Sequence, residues 1–474
     1  MIVYVLLRAI AGVALRWYYR DIQVEGLERL PRRRPLLLAV NHPNALVDAL
    51  LIGWIAPRRV RITAKSTLFT NPVAGRLLRW IGVVPLHRAS DAAEIGVRSD
   101  PLRNREAFRS VRDALRSGDS VLIFPEGKSH DGSTLAPLKS GAARMALYAA
   151  QSAGVEELAI VPIGLTFERK DTPRTRVLVQ IGEPIVMADW DAPAGRSAAE
   201  ALTDEIDARL RAVTLNYASA DDAARSVRLA SILAVLLEDL PQVGIVDRGL
   251  GAEARIARRI DDWAVRLQSA NENFRMMADA LVARLEAVQR EAAVHGILIE
   301  DVGISLGSAP ALRFLLREGW LLLVGGPIAL WGRVNHWLPF SAARSIAMRS
   351  VESAVDPAMR TVLAGAMLVL LAYLAQSFAV GVAWGPIVAL GYLVSLPVAA
   401  DINFSLSDRL HRASRRARAF LRFRRNRDLQ RRLTDELASL RHDLLNFERA
   451  LVAETSSGDS APPARFHGGS ANAS

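Results

Sequence analysis

The chain has 474 residues, 51% of them hydrophobic and 23% charged, which is too long for one compact domain and too apolar for a disordered polymer. It has no cysteine, so a thiol nucleophile, a disulfide framework and any Cys-based zinc or iron–sulfur site are excluded. The net charge of +11 fits nucleic acid or an anionic membrane face. Of the 60 basic residues only Lys65, Lys128, Lys139 and Lys170 are lysines, leaving 56 arginines, so an isolated arginine carries little information.

Residues 1–20 are apolar except for Arg8, Arg16 and Arg20, which fall within an arc of about 120° on a helix, with Trp17, Tyr18 and Tyr19 at its end. This predicts an amphipathic helix lying in a membrane interface; an ordinary helix packed on the next domain is the plainer reading. The charges lie within and after the apolar run and no cleavage site follows, unlike a signal peptide.

Residues 22–215 alternate apolar runs with helical patterns. Strands are expected at Pro35–Val40, Val60–Ala64, Ser120–Phe124, Leu158–Ile163 and Val177–Ile181, with helices such as Asn104–Ser117 and Ser140–Ala153 between them. The alternation predicts an α/β domain with a mostly parallel sheet flanked by helices, its site on the loops that follow the strands.

Four blocks in this domain can carry chemistry. The first, Asn41-His42-Pro43-Asn44-Ala45-Leu46-Val47-Asp48, follows the first apolar strand. A histidine there can remove a proton from an alcohol if a carboxylate fixes its tautomer. The second, Gly82 to Arg88, is a short apolar strand ending in a candidate anion clamp. The third runs from Val121 through Phe124-Pro125-Glu126-Gly127-Lys128-Ser129-His130 to Leu138-Lys139-Ser140-Gly141, a strand entering a tight turn and then a helix N-terminus. The fourth, Val161-Pro162-Ile163-Gly164, is a bent strand end with no reactive group. Singly, each also reads as ordinary surface or structural sequence.

In this order and spacing the blocks resemble the glycerolipid acyltransferase family, over about residues 22–215. The resemblance implies the fold of that family and His42 as general base, with Asp48 as its orienting carboxylate. It implies Arg88 as a phosphate-binding residue, Glu126 and Gly127 as part of the glycerol-phosphate site, and Pro162 on the acyl-donor side. It implies no metal or cofactor: acyl-CoA or an acyl-carrier protein serves as donor substrate. Two departures stand out. Five residues separate His42 from Asp48 where the family usually has four, which on a regular helix turns the carboxylate by about 100°. A local bulge restoring the contact, or a contribution from Asn44, would accommodate it. The third block lacks the usual arginine, whose charge Lys128 or Lys139 would replace, though not its bidentate fork. Both departures resemble the branch containing the fungal glycerol-3-phosphate and dihydroxyacetone-phosphate acyltransferases.

The expected reaction is acyl transfer from a thioester to glycerol-3-phosphate or 1-acylglycerol-3-phosphate in phospholipid biosynthesis. The alternatives are a membrane hydrolase or remodelling enzyme acting on thioesters or lysophospholipids, and a non-catalytic membrane scaffold that keeps the fold.

Residues 220–310 read as wholly helical and carry no evident chemistry. A membrane region is expected over 311–410. Residues 361–400 contain no Asp, Glu, Lys, Arg or His, which predicts a hairpin of two transmembrane helices broken near Gly381, Gly385 and Pro386. Arginines on both sides place its ends, and the catalytic domain, on the cytoplasmic side. The shorter run Gly319–Gly332, interrupted by Gly325-Gly326-Pro327, reads as a re-entrant or interfacial segment. A basic and leucine-rich helical segment follows over 411–453. Its 4-3 leucine spacing, Leu433 to Leu451, fits a hairpin on its own chain as well as a homodimer. Residues 454–474 read as a disordered tail. Membrane lipids and the two substrates are the expected partners. Nucleic acid is not, since the basic stretch abuts the membrane run and lacks interleaved aromatics.

Overall fold

The computed structural model describes residues 2–86, 101–130, 132, 134–152, 154–170, 172–217, 220–237, 249–349 and 357–458. Arg88 and most of the C-terminal tail lie outside the described residues. The chain divides into two compact units, residues 1–223 with 248–251 and 319–409, and residues 224–247 with 252–318 and 410–474.

The first unit is built on one sheet. Its strands are β1 (Asp21–Glu25), β2 (Leu36–Val40), β3 (Val60–Lys65), β4 (Val84–Leu86), β5 (Ser120–Ile123), β6 (Ala159–Phe167), β7 (Arg176–Ile181) and β8 (Ile185–Val186). The spatial order is β1-β7-β6-β2-β5-β3-β4, with β8 on β6. Pairings are parallel except β6 with β7 and β6 with β8. The five expected strands form; β1 and β8 are additional.

All five residues of β2 are buried, as a central parallel strand covered on both faces requires. Leu36, Leu38 and Val40 face one core with residues of helices α1 (Ile2–Tyr18) and α2 (Ala45–Ile55). Leu37 and Ala39 face the other core, with α4 (Pro101–Arg116), α5 (Gly141–Ala150) and α6 (Ala198–Val213). A third helix, α3 (Pro72–Ile81), lies between β3 and β4. The register decides the site. Ala39 is opposite Ile123 on β5 and Pro162 on β6, so the first and third blocks leave the sheet side by side at the carboxyl end of β2; the fourth, read from sequence as a strand end, lies within β6, which continues to Phe167 because its far half pairs with β7. Gly164 sits where the chain needs no side chain: a Cβ there would lie 1.8 Å from the carbonyl oxygen of Val213.

Helix α1 packs on α2. A Cβ at Gly12 would meet Trp54 Nε1 at 2.4 Å, and Arg8 donates from Nε and Nη2 to the Trp54 carbonyl at 3.1 and 2.9 Å. That carbonyl belongs to the orphan acceptors at the end of α2. Two of the arginines expected on a free polar face are therefore turned toward the domain, since the Arg16 guanidinium lies over the Trp54 ring as well. Val5 and Leu6 are left 58% exposed.

Three helices are long and apolar enough to cross a membrane, and they lie within α10 (Ser308–Arg349), α11 (Pro357–Trp384) and α12 (Pro386–Arg425). Gly385 alone separates α11 from α12, at φ 89°. The interruption expected at Gly325-Gly326-Pro327 is absent, and α10 runs through it. Close packing on α12 offsets the lost backbone bond: a Cβ at Gly332 would be 2.3 Å from the Ala399 carbonyl oxygen. Arg174, at φ 63°, ties the sheet to these helices. It donates to the carbonyls of Arg16 and Trp17 at the end of α1, pairs with Asp408 and covers the Phe404 ring at 4.9 Å.

The second unit is helical, formed by most of α7 (Ala220–Leu237) and of α8 (Leu250–Ser269), with α9 (Glu272–Val294), α13 (Arg427–Gly458) and flanking segments. The leucine stripe is spent inside the chain: Leu433, Leu440, Leu444, Phe447 and Leu451 are buried, and α13 packs along α9, where Arg284 pairs with Glu436 at 2.8 Å and Asp443 at 2.7 Å.

In this unit burial, aided by Glu300 and opposed by Arg416 and Arg415, pushes the Asp301 carboxyl up to about 6. The folded state thus holds a proton that the unfolded chain releases at lower pH. The associated stability is present at and below about pH 4 and is lost as pH rises through about 6. Asp301→Asn should therefore raise the melting temperature at pH 7 and flatten its decline between pH 4 and 6, as followed by thermal unfolding in detergent.

Candidate active site

The first block leaves β2 as a non-helical turn. Asn41 continues the strand with its side chain, donating from Nδ2 to the Leu165 carbonyl at 3.0 Å and accepting from the Leu165 N–H at 2.7 Å. His42 follows, its ring stacked on Phe124 at 3.7 Å between centroids and 13° between planes. Pro43 and Asn44 precede α2, and Ala45 opens that helix at φ 44°, a left-handed value rare for alanine.

That turn absorbs the extra residue between His42 and Asp48. Asp48 lies near the start of α2 and reaches back, in the manner of a capping-box carboxylate. Its Oδ2 takes the Asn44 N–H at 2.8 Å and stands 3.0 Å from His42 Nδ1. Asp48 is fully buried, and the His42 side chain is 14% exposed. A carboxylate on Nδ1 makes that nitrogen the donor and leaves Nε2 as the basic atom. Nε2 has no partner among the described residues, and His42 lines a cavity of about 150 Å³. Asn44 supports this turn: its Nδ2 donates to Tyr19 Oη at 3.1 Å and to the Lys170 carbonyl at 3.2 Å.

Glu126 is buried in the turn after β5. Its Oε1 accepts the His42 N–H at 2.6 Å; its Oε2 accepts the Ala136 N–H at 2.9 Å and pairs with His130 Nε2. Both oxygens are engaged by the protein. The carboxylate thereby binds the third block to the His42 turn, with both oxygens held by protein groups. Gly127 at φ 80° makes the turn possible. Lys128 and Lys139 are exposed and neither lines the cavity.

Sequence reasoning missed several contributors. Asn41 and His130 lie within quoted blocks, but nothing in their spacing gave them a role. Lys170 donates from Nζ to the Pro43 carbonyl at 3.2 Å, placing a cation on the His42 turn from 127 residues away. The cavity wall also carries Thr134, Thr166 and Thr214, whose hydroxyls suit a polyol-like acceptor, beside the apolar Leu165 and Phe167. The second unit holds an apolar cavity of about 140 Å³ lined by residues such as Leu233, Trp263 and Phe447, with no titratable side chain to run chemistry.

Residues 21–166 match the acyltransferase family model, a stretch that contains His42, Asp48 and Glu126. Residues 21–166 belong to the acyltransferase family. The glycerol-3-phosphate O-acyltransferase 2 of Saccharomyces cerevisiae is 42% identical over 89 residues, which cover 19% of this chain and 12% of that protein. A 1-acyl-sn-glycerol-3-phosphate acyltransferase of Cocos nucifera is 30% identical over 191 residues, 38% of this chain and 56% of that protein. The chain thus spans little more than half, and in places far less, of these relatives' lengths. Among solved structures, the 1-acyl-sn-glycerophosphate acyltransferase of Thermotoga maritima matches at 21% identity over 44% of this chain and 78% of that one, with a TM-score of 0.32.

If the left-handed Ala45 is what fits the longer spacing, its substitutions should separate by backbone demand. Ala45→Gly should leave the melting temperature unchanged or higher, since relief of about 1–2 kcal/mol offsets glycine's entropy. Ala45→Val should lower it by an amount equivalent to at least about 1 kcal/mol, because a branched side chain resists that conformation.

Proposed function

We propose that this protein transfers a fatty acyl group from a thioester to a hydroxyl of a glycerol-phosphate acceptor, glycerol-3-phosphate or 1-acylglycerol-3-phosphate. The observation that carries this reading is the His42–Asp48 pair facing a cavity walled by hydroxyls within an acyltransferase-family domain. His42 Nε2 takes the proton of the acceptor hydroxyl as its oxygen attacks the thioester carbonyl. The tetrahedral intermediate then expels the thiolate, which takes the proton back from the imidazolium. Asp48 stabilises that imidazolium and holds the ring, a contribution of about 10²–10⁴ in rate for acid–base catalysis of this kind. Glu126 keeps the backbone of His42 in place. Arg88, and Lys170 on the catalytic turn, are the cations we assign to the acceptor phosphate; Lys128 and Lys139 would assist it at longer range. The relatives named above act on the same two acceptors, and this supports the substrate class.

The reaction would run at a membrane surface. In the second unit, residues before the apolar helices pack on residues after them, as in the Arg284 pairs with Glu436 and Asp443. Segments packed on each other lie on one side of a bilayer, so the chain between them crosses an even number of times. This favours the α11–α12 hairpin as two spans. It leaves α10, the least apolar of the three and carrying Arg333, as the helix that does not cross. The arginines flanking the hairpin support a cytoplasmic position for both its ends and for the acyltransferase domain.

The test is acyl transfer by reconstituted protein, with glycerol-3-phosphate and 1-acylglycerol-3-phosphate offered in parallel. Product from one acceptor, lost by a factor of at least about 10² in His42→Ala, is the expected result. Thioester loss without an acylated acceptor would point to a hydrolase. Turnover unaffected by His42→Ala would refute the mechanism.

A further inference from the structure

Helix α3 is short, and its largest side chain, Trp80, is not spent on the core. Trp80 is 63% exposed, and Leu68, in the 3-10 turn at Ser66–Phe69 on which α3 packs, is 53% exposed. The reason lies on the opposite side of the helix. At Gly75 a Cβ would stand 2.5 Å from the Phe69 carbonyl oxygen, so backbone meets backbone there. Position 80 is five residues on, about 140° round the helix. Arg76 and Arg79 flank this side and are exposed, with the Arg79 guanidinium 5.6 Å from the Phe69 ring. A large exposed aromatic beside two arginines is the composition of a helix that lies in a bilayer interface.

The surface continues onto α1. Arg59 lies over the Tyr4 ring at 5.6 Å and donates to the Ile81 carbonyl at the end of α3 at 3.4 Å. Val5, Leu6 and Leu7, next to Tyr4, are exposed as well. Two elements that are far apart in sequence and joined through one arginine thus both present apolar side chains outward, in the same unit as the apolar helices. Water would solvate that surface at a cost, whereas a lipid interface would bury it.

We propose that α3, with the turn at Leu68 and the adjoining face of α1, is a peripheral docking surface for the anionic headgroup layer of the bilayer. It rests on the membrane reading of the preceding subsection. It adds that the catalytic domain is held down on the lipid by its own surface as well as by the apolar helices. Trp80 and Leu68 enter the headgroup region while Arg76 and Arg79 meet lipid phosphates.

The absence of cysteine allows single labels. Full-length protein carrying Trp80→Cys, Leu68→Cys, Ser110→Cys or Phe378→Cys, each with a small fluorophore, is reconstituted in nanodiscs of phosphatidylcholine and phosphatidylglycerol containing spin-labelled lipid. Ser110 is exposed on α4, and Phe378 is exposed on α11. The expected result is loss of fluorescence at positions 80 and 68, stronger with the quencher near the headgroup than near the chain end, and no loss at 110. Arg76→Glu with Arg79→Glu should reduce the quenching at position 68. Fluorescence at 80 and 68 no more quenched than at 110 overturns the proposal. Quenching at 378 alone would leave the spanning hairpin standing while the docking surface falls; quenching at neither would remove both. Cross-linking between copies through position 80, without lipid quenching, would also overturn it by assigning the face to a second copy.

Discussion

The arrangement of the site depends on one contact, the 3.0 Å approach of His42 Nδ1 to the buried Asp48. Carboxylate and imidazole belong to a strand end and a helix start six positions apart, a step that a regular helix would not close. The chain closes it with a turn: Pro43 and Asn44 outside the helix, Ala45 in the left-handed region, and the Asn44 N–H held by the same carboxylate oxygen. A buried carboxylate needs partners, and this one finds them in the backbone and the ring it orients. The strain at Ala45 is retained because the surroundings over-determine it.

Around that contact the fold supplies fixity. β2 carries His42, β5 carries Glu126, and their parallel register brings the two loops together. Glu126 then binds the loops by accepting from the His42 and Ala136 amides. On the other side, Asn41 holds β6 and Asn44 holds Tyr19. Tyr19 stands at the end of α1, where Arg174 and Trp17 join the sheet to the apolar helices; the Trp17 ring lies 5.6 Å from that of His336. The His42 turn is thereby linked through a few side chains to the apolar helices of the first unit. For the acyl transfer proposed above that linkage would matter, since orientation at an interface would decide whether the acceptor hydroxyl reaches His42.

Much of this was legible in the sequence. Apolar runs bounded by turn residues marked the five inner strands, most clearly β2, β5 and β7, whose residues are buried throughout. The structure brings together His42, Asp48 and Glu126, which were legible as candidates. Their geometry was not: a spacing rule extrapolates a helix, and the helix begins only after Asn44. Glu126 was expected to help hold substrate, yet both its oxygens bind protein groups. Lys170 was invisible because it reaches the site through the β6–β7 connection, far away in sequence. Gly325-Gly326-Pro327 read as a break, but a neighbouring helix backbone packed against Gly332 sustains α10, a tertiary effect that local propensity does not contain. The leucine stripe of α13 left self-association open until α9 was seen to cover it.

The central claim is that Asp48 makes His42 a base across the lengthened turn. Single-turnover acyl transfer by Asp48→Asn, compared with the unmodified protein at saturating acceptor, tests it most directly, because the amide keeps the shape and removes the charge. A fall in rate of about 10²–10⁴ with little change in acceptor affinity is the predicted result. A rate within a few-fold of the unmodified protein, on enzyme shown to be folded, would contradict the account.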